Sequence, residues 1–254
     1  GISQELHDFG FNGWYGPSMN LHRSAFGGRN FEYYSEDSVL SAEMAEAEMR
    51  AALDSDIYPY LKHFAFNEQE TNRNAMCCTW LNEQSARELY LKPFEECVKN
   101  AEGRPLAIMS SYVFVGTEWA GGCSALLNDI LRGEWGFKGY VITDSVKSAK
   151  YFLPSECLVA GNDRMLGGSN NVSVWGYTED EVADDLVIQA GVRESYHRYL
   201  YTYVNSSVMN GISEKTDATG AIAWWILALQ LAMGISFVPV SYTHLRAHET
   251  GRNL

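Results

Sequence analysis

Residues 106–144 read LAIMSSYVFVGTEWAGGCSALLNDILRGEWGFKGYVITD, and their pattern predicts the fold class of the chain. It opens with an apolar run that is typical of a buried strand, and it closes with another at residues 140–143. Between them, residues 124–135 place leucine and isoleucine at the spacing of one helix face. A strand, a helix and a second strand in this order predict a parallel βαβ unit.

The same alternation extends outward from this stretch over residues 1–206. The other strand-like runs are predicted at residues 14–21, 57–66 and 157–166. Helices are predicted at residues 39–53, at 83–98 with a kink at Pro93, and as one or two segments within 178–206. The chain therefore predicts an α/β fold, a partial (β/α)8 TIM-type barrel of about five βα units where a closed barrel has eight.

Composition narrows the classes of function. The 254 residues carry a net charge of −13, which disfavours a nucleic-acid partner because an acidic surface repels phosphate. The five cysteines show no paired C-x-x-C spacing, so neither zinc nor redox chemistry is expected. We predict no cofactor and no bound metal.

The C-terminal part differs in kind from the rest. Residues 207–219 read as a linker, and residues 220–240 form a run of 21 residues without a charged side chain. A helix of that length matches a hydrocarbon core of about 30 Å, so the run is a candidate transmembrane helix and the protein a candidate for membrane anchoring. The alternative is a buried apolar helix. The tail, residues 241–254, resembles a translated sequencing adaptor and is given no function.

The chain opens at Gly1, without a charged-then-apolar leader. We interpret the chain as an internal fragment, in which about five strands of a barrel leave unpaired edges. The isolated piece is therefore expected to be unstable.

Polar clusters recur where the predicted strands end, which is where β/α barrels carry their catalytic groups. In chain order the clusters lie at residues 22–32, 62–73, 109–112, 143–145 and 161–163. A single strand-end Asp is commonly a turn former. Several such clusters in register indicate a site instead.

Six ordered blocks of sequence resemble glycoside hydrolase family 3, in its β-glucosidase-type branch. The blocks are GPSMNLHRSAFGGRNFEYYSED, KHFAFNEQETNR, RELYLKPFE, IMSSY, LRGEWGFKGYVITD and AGNDRML. The resemblance covers roughly residues 5 to 170, and it implies a fragment of the catalytic barrel domain of a retaining glycosidase.

The resemblance implies a role for six residues. Asp144 is the implied nucleophile, which forms a covalent glycosyl-aspartate intermediate and must stay ionised. The implied sugar-binding residues are Arg29, Lys62, His63, Arg73 and Tyr112, with Tyr112 beside the nucleophile. Arginine and lysine suit a polyol because they donate hydrogen bonds without competing as acceptors.

A retaining enzyme also needs a second carboxyl group about 5 to 5.5 Å from the first. In β-glucosidase-type members this acid/base Glu comes from a second domain, and no block of this chain resembles that domain. The resemblance thus implies cleavage of β-linked glucosides or related sugars, a missing second domain as partner, and a chain that is inactive alone.

The sequence departs from the family pattern at Ser145, where a Trp usually follows the nucleophile. This departure weakens the case for a glucose-shaped pocket. One alternative is therefore a non-catalytic sugar-binding or membrane-tethered module. A β-N-acetylglucosaminidase is disfavoured, because the loop after residues 62–64 lacks the His that this branch carries.

Overall fold

The computed structural model describes residues 1–146, 154–167 and 179–210, together with Leu231 and Ile235. The chain divides into two compact units, Gly1–Ile212 and Ser213–Leu254. The predictions for residues 220–240 and 241–254 lie outside the described residues, apart from Leu231 and Ile235, which are helical. Within the part that is described, no helix is both long and apolar enough to cross a bilayer.

The first unit is built on a five-stranded, entirely parallel sheet. The chain contains the strands β1 (Gly13–Trp14), β2 (Tyr58–Phe64), β3 (Cys78–Thr79), β4 (Ala107–Ser110), β5 (Phe114–Val115), β6 (Glu118–Trp119), β7 (Tyr140–Ser145) and β8 (Arg164–Leu166). In the main sheet the order is β1-β2-β4-β7-β8, so that strands consecutive in that sheet are neighbours in space. This order is that of a barrel segment, and the predicted partial (β/α)8 fold with five strands is confirmed.

Helices join the parallel strands. The α-helices are α1 (Ile2–Asp8), α2 (Ser38–Leu53), α3 (Glu83–Ser85), α4 (Lys92–Asn100), α5 (Pro154–Ala160), α6 (Glu179–Asp184), α7 (Leu186–Val204) and α8 (Ser207–Asn210). Two π-helices, Ala86–Tyr90 and Ala125–Glu134, and short 3-10 turns at Asn30–Glu32, Arg73–Ala75 and Ala120–Gly122 complete the set in the described ranges. The predicted kink at Pro93 is a π-helical turn that ends just before α4 begins.

The main sheet buries both of its faces. On the helix face, Leu61, Ile108 and Val141 pack in the main core, which α2, α4 and the π-helix Ala125–Glu134 complete. On the inner face lies a second core, built of Tyr58, Tyr60, Ala107, Met109, Tyr140 and Ile142. Because side chains alternate along a strand, the same inner face continues to Lys62 on β2 and to Asp144 on β7.

Helix α7 packs against the end of the sheet where the strands begin. The Tyr199 ring of α7 lies 5.4 Å from that of Tyr140, and the Thr202 hydroxyl donates to the carbonyl of Leu106, just before β4. Ser195 donates to the Asp163 carbonyl over 2.7 Å. This helix thus leaves the opposite end, where the strands finish, to the polar side chains.

Three predictions of element bounds were wrong. The strand predicted at 157–166 begins only at Arg164, because residues 154–160 form α5, whose buried face supplied the apolar run. Residues 161–163 therefore precede a strand instead of ending one. The strand predicted at 14–21 is limited to Gly13–Trp14 and a single bridge at Ser18. The first residues of the predicted linker, Ser207–Asn210, form α8.

Candidate active site

The six residues that the sequence singled out converge on the carboxyl ends of β2, β4 and β7. Lys62 and His63 lie on β2, Asp144 lies on β7, and Tyr112 follows β4. The other two, Arg29 and Arg73, come from the loops after β1 and β2.

Asp144 is the acidic group at the centre of these contacts. Its side chain is only 14% exposed, and its Oδ2 atom lies 3.3 Å from Nη1 of Arg73 and 3.8 Å from Nε2 of His63. The backbone N–H of Ser145 donates to Oδ1 over 2.6 Å. These contacts fix the carboxylate at the end of β7.

A local irregularity in β2 brings His63 into the site. Lys62 pairs with Met109 of β4 and Phe64 pairs with the next residue, Ser110, so His63 is an extra residue in the ladder. A bulge of this kind re-aims a side chain relative to regular alternation. As a result Lys62 and His63, although adjacent in sequence, both take part in the site.

The charged side chains form a chain of alternating sign. Glu32 pairs with Arg29 and lies 3.5 Å from Nζ of Lys62. Glu70 lies 3.6 Å from Nη1 of Arg29 and 2.7 Å from Nε of Arg73. In space, this series of ion pairs runs Lys62–Glu32–Arg29–Glu70–Arg73 and ends at Asp144, so that each cation has an acidic neighbour.

Tyr112 holds the segment beside the nucleophile candidate. Its ring packs under the guanidinium of Arg73, with 4.4 Å between the guanidinium carbon and the ring centroid. The Tyr112 hydroxyl donates to the backbone carbonyl of Ser145. Tyr112 therefore lies against the residue that follows Asp144, and its role in sugar binding stays a prediction.

Burial and charge set the protonation of these groups. Burial raises the pKa of Asp144 above the ordinary value, although the Ser145 N–H and the cations Arg73, Arg29 and Lys62 oppose the rise. Burial, together with the same three cations, lowers the pKa of His63 well below the ordinary value, so His63 is neutral and forms no ion pair with Asp144. The pKa of Glu32 is lowered: burial opposes the shift, but the Arg29 and Ser18 hydrogen bonds outweigh it.

Sequence reasoning missed the acidic partners of the cations. Glu32 follows Arg29 by three residues and Glu70 precedes Arg73 by three. This spacing was the available signal, because a carboxylate three residues from a cation in a tight turn can reach it. The function of these two glutamates in the structure is to hold Arg29, Lys62 and Arg73 in place.

The described ranges also bear on metal binding and contain a second cavity. In them, no three or more His, Cys, Asp or Glu side chains come together in a way that could hold a metal ion. A separate cavity of about 490 Å³ is bordered by Arg23, Glu68, Cys77 and Tyr90, and none of the six predicted residues lines it.

A buried carboxylate among cations at the carboxyl ends of parallel strands is the arrangement expected of a catalytic site in a β/α barrel. Residues 1–200 match the family model described as "Glycosyl hydrolase family 3 N terminal domain". The chain therefore belongs to glycosyl hydrolase family 3.

Curated relatives cover the same region. The chain is 38% identical to β-glucosidase A of Butyrivibrio fibrisolvens over 176 residues, which is 69% of this chain and 20% of that protein. It is 42% identical to a β-glucosidase of Ruminococcus albus over 129 residues, 51% of this chain and 13% of that protein. The chain thus spans a fifth or less of the length of these relatives.

Solved structures share the fold. β-Glucosidase 3B from Thermotoga neapolitana, solved in complex with α-D-glucose, superposes with a TM-score of 0.74 at 32% identity, over 86% of this chain and 31% of that one. A family 3 β-glucosidase from Bifidobacterium adolescentis gives a TM-score of 0.72 at 28% identity, over 84% of this chain and 30% of that one.

Proposed function

We propose that the protein carrying this chain hydrolyses β-linked glucosides with retention of configuration, and that Asp144 is its nucleophile. The observation that carries the proposal is the Asp144 carboxylate, 3.3 Å from Arg73 at the end of β7. The names of the relatives, which are β-glucosidases, support the substrate class.

The proposed reaction has two steps. An Asp144 oxygen attacks the anomeric carbon, the bond to the aglycone oxygen breaks, and the aglycone leaves with a proton from a general acid. Water, deprotonated by the same group, then attacks the anomeric carbon and releases the sugar and the Asp144 carboxylate. Arg29, Lys62, His63, Arg73 and Tyr112 bind the sugar in this proposal.

The general acid in this mechanism comes from outside the described site. A general acid must hold a proton before it donates one. Glu32 has a lowered pKa and pairs with two cations, and Glu70 bridges Arg29 and Arg73. Glu32 is therefore unsuited to proton donation, and Glu70 is held between two cations, which supports a second domain as the source of the acid.

The test uses a 2-fluoro glucoside with a dinitrophenyl leaving group, followed by intact-mass measurement. This leaving group departs without protonation, so the first step does not need the general acid. We expect a mass gain of one fluoroglucosyl group, which peptide mapping assigns to Asp144.

The Asp144→Asn variant is expected to take no label, and the matched variant Asp129→Asn, at an exposed position on the π-helix Ala125–Glu134, is expected to label as the unmodified protein does. Labelling that persists in Asp144→Asn would rule out this nucleophile. Glucoside binding without any label, also in the full-length protein, would favour the sugar-binding module instead.

A further inference from the structure

Glu68 is a buried carboxyl group that the proposed mechanism does not use. In sequence, Glu68 lies six residues after Lys62 and two before Glu70, both of which belong to the candidate active site. Its hydrogen-bond partners are different from those of these two residues. Its Oε1 atom accepts hydrogen bonds from Nδ2 of Asn20 over 3.4 Å and from the backbone N–H of Leu21 over 3.3 Å. A carboxyl group is costly to bury, so its position calls for a reason.

Asn20 connects Glu68 to the end of β2. The Asn20 side chain is fully buried, its Oδ1 accepts from the His63 N–H over 2.9 Å, and its Nδ2 donates to the His63 carbonyl over 3.1 Å. One amide therefore clamps both backbone polar groups of the bulged residue. Nearby, the Met19 N–H donates to the Lys62 carbonyl over 2.9 Å, which ties the same segment to the strand.

The clamped residue reaches the reacting group. Nε2 of His63 lies 3.2 Å from Nη1 of Arg29 and 3.8 Å from Oδ2 of Asp144. Since the bulge at His63 has no ladder partner of its own, its backbone orientation depends on Asn20. The orientation of Asn20 depends in turn on the acceptor that fixes its Nδ2 group.

We propose that Glu68 is a positioning residue, whose carboxyl group orients Asn20 and thereby sets where the His63 imidazole meets the sugar. This inference rests on the proposed function as far as the sugar is concerned. The hydrogen-bonded path from Glu68 through Asn20 to His63 does not depend on the substrate.

Through this hydrogen-bonded path, the protonation state of Glu68 affects Asn20 and His63. Burial raises the pKa of Glu68 to about 7, against the hydrogen bonds from Leu21 and Asn20 and the charge of Arg23. The other titratable groups that line the cavity beside Glu68 are Arg23, Tyr90, Cys77 and Cys78. Burial raises the pKa of Tyr90 and that of Cys77, away from neutrality. His22 carries an ionisable imidazole beside Leu21, and its Nε2 lies 2.9 Å from the Asn30 carbonyl oxygen.

The first test separates binding from chemistry with the fluoroglucoside label. Glu68→Leu removes the acceptor at similar volume, whereas Glu68→Gln keeps an acceptor oxygen without charge. We expect Glu68→Leu to raise the reagent concentration that gives half-maximal labelling about tenfold, because one to two hydrogen bonds are lost. The maximal labelling rate of this variant should stay within about twofold of that of the unmodified protein. Glu68→Gln is expected to stay within about twofold in both, as is the exposed control Glu43→Gln. The proposal would be overturned if the half-saturating reagent concentration were the same in the unmodified protein and in all three variants.

The second test needs no substrate and stands if the labelling fails. In the full chain labelled with 15N-histidine, the His63 amide resonance, assigned by its loss in His63→Gln, is followed from pH 5 to 9. We expect the chemical shift of this amide to change with a midpoint near pH 7 in the unmodified protein and not in Glu68→Gln. Because His22 is present in both proteins, a change that is lost in the variant comes from Glu68. Identical titration curves in the two proteins would refute the coupling. Absence of label on the unmodified protein would count against the proposed function alone.

Discussion

As the proposed nucleophile, Asp144 has to be ionised to attack, yet its burial opposes ionisation. Three cations and the Ser145 N–H favour the charged form, but desolvation outweighs them and the net pKa is raised. Neighbouring cations by themselves would lower the pKa of a nucleophile that must stay ionised, but the sequence could not show how deeply β7 is buried. The cations are also shared with Glu32 and Glu70, which reduces the effect of each on Asp144.

The raised pKa of Asp144 predicts how the labelling rate depends on pH in the acidic range. Because only the ionised carboxylate reacts, the second-order labelling rate should rise with pH through the pKa of Asp144 in the free protein. We expect a midpoint above about 4, the ordinary value for Asp. Arg73→Gln removes a group that lowers this pKa, so the midpoint should move up further, by about one pH unit.

Arg104→Gln is the control for lost charge, because Arg104 pairs with the 71% exposed Asp54 at the surface. The pH profile of this variant should match that of the unmodified protein. A midpoint that stays in place in Arg73→Gln would show that Arg73 does not control the acidity of Asp144.

Sequence alone predicted the residues that are proposed to contact the substrate and missed the residues that hold them in place. Asp144, Lys62 and His63 stand at strand ends, where chain order and fold already imply convergence. Asn20 and Glu68 act through contacts between loops that are 47 and 48 residues apart in sequence, measured from Leu21 and Asn20 to Glu68. No local pattern encodes such contacts, so they became visible only in the folded chain.

At the scale of elements, Asp163 joins four segments of the structure. Its carboxylate lies 2.7 Å from Nη2 of Arg132, on the π-helix Ala125–Glu134, and 3.0 Å from Nη1 of Arg198, on α7. It also accepts from the Val141 N–H of β7 over 2.8 Å, and it stands directly before β8. The polar cluster at residues 161–163, which the sequence suggested as part of a site, has this structural role instead.

Asp163→Asn is expected to destabilise the chain by about 3–5 kcal/mol, because it leaves two largely buried guanidinium groups without their counter-ion. The Asp163 side chain is 1% exposed, so solvent cannot replace the lost partner. Urea denaturation followed by circular dichroism measures the free energy of unfolding. The surface change Asp54→Asn should shift it by no more than about 1 kcal/mol. If Asp163→Asn and Asp54→Asn changed the free energy of unfolding equally, the buried ion pairs of Asp163 would not have this stabilising role.

Element types were predicted better than element bounds. Helix α2, indicated by its helix-forming residues, helix α4, indicated by its apolar periodicity, and the strands β2, β4 and β7, indicated by apolar runs, appeared where the sequence predicted them. The prediction failed at α5, because a short buried helix and a strand both give a brief apolar run. The small sheet of β3, β5 and β6 was missed because its strands have only two residues each and depend on contacts with one another.

At the scale of the first unit, the sheet is a barrel segment with two edges. Strands β2, β4 and β7 have a hydrogen-bonded neighbour on both sides, whereas β1 and β8 have one each among the described residues. The predicted site residues of the sheet, Lys62, His63 and Asp144, lie on the doubly paired strands. Their geometry thus depends on the part of the sheet with the most complete hydrogen bonding.

We therefore expect hydrogen exchange in the 254-residue chain to be graded across the sheet. Amides of β2, β4 and β7 should exchange slowest and those of β1 and β8 faster, because an edge strand can open without breaking a second ladder. Mass spectrometry on peptic peptides measures this directly, with the exposed helix α6, which buries no residue, as the fast reference. If β1 or β8 exchanged as slowly as β4, the edges would be protected by contacts beyond the described sheet. If all five strands exchanged as fast as α6, the segment would not hold its fold alone, and the site would need the rest of the barrel to exist.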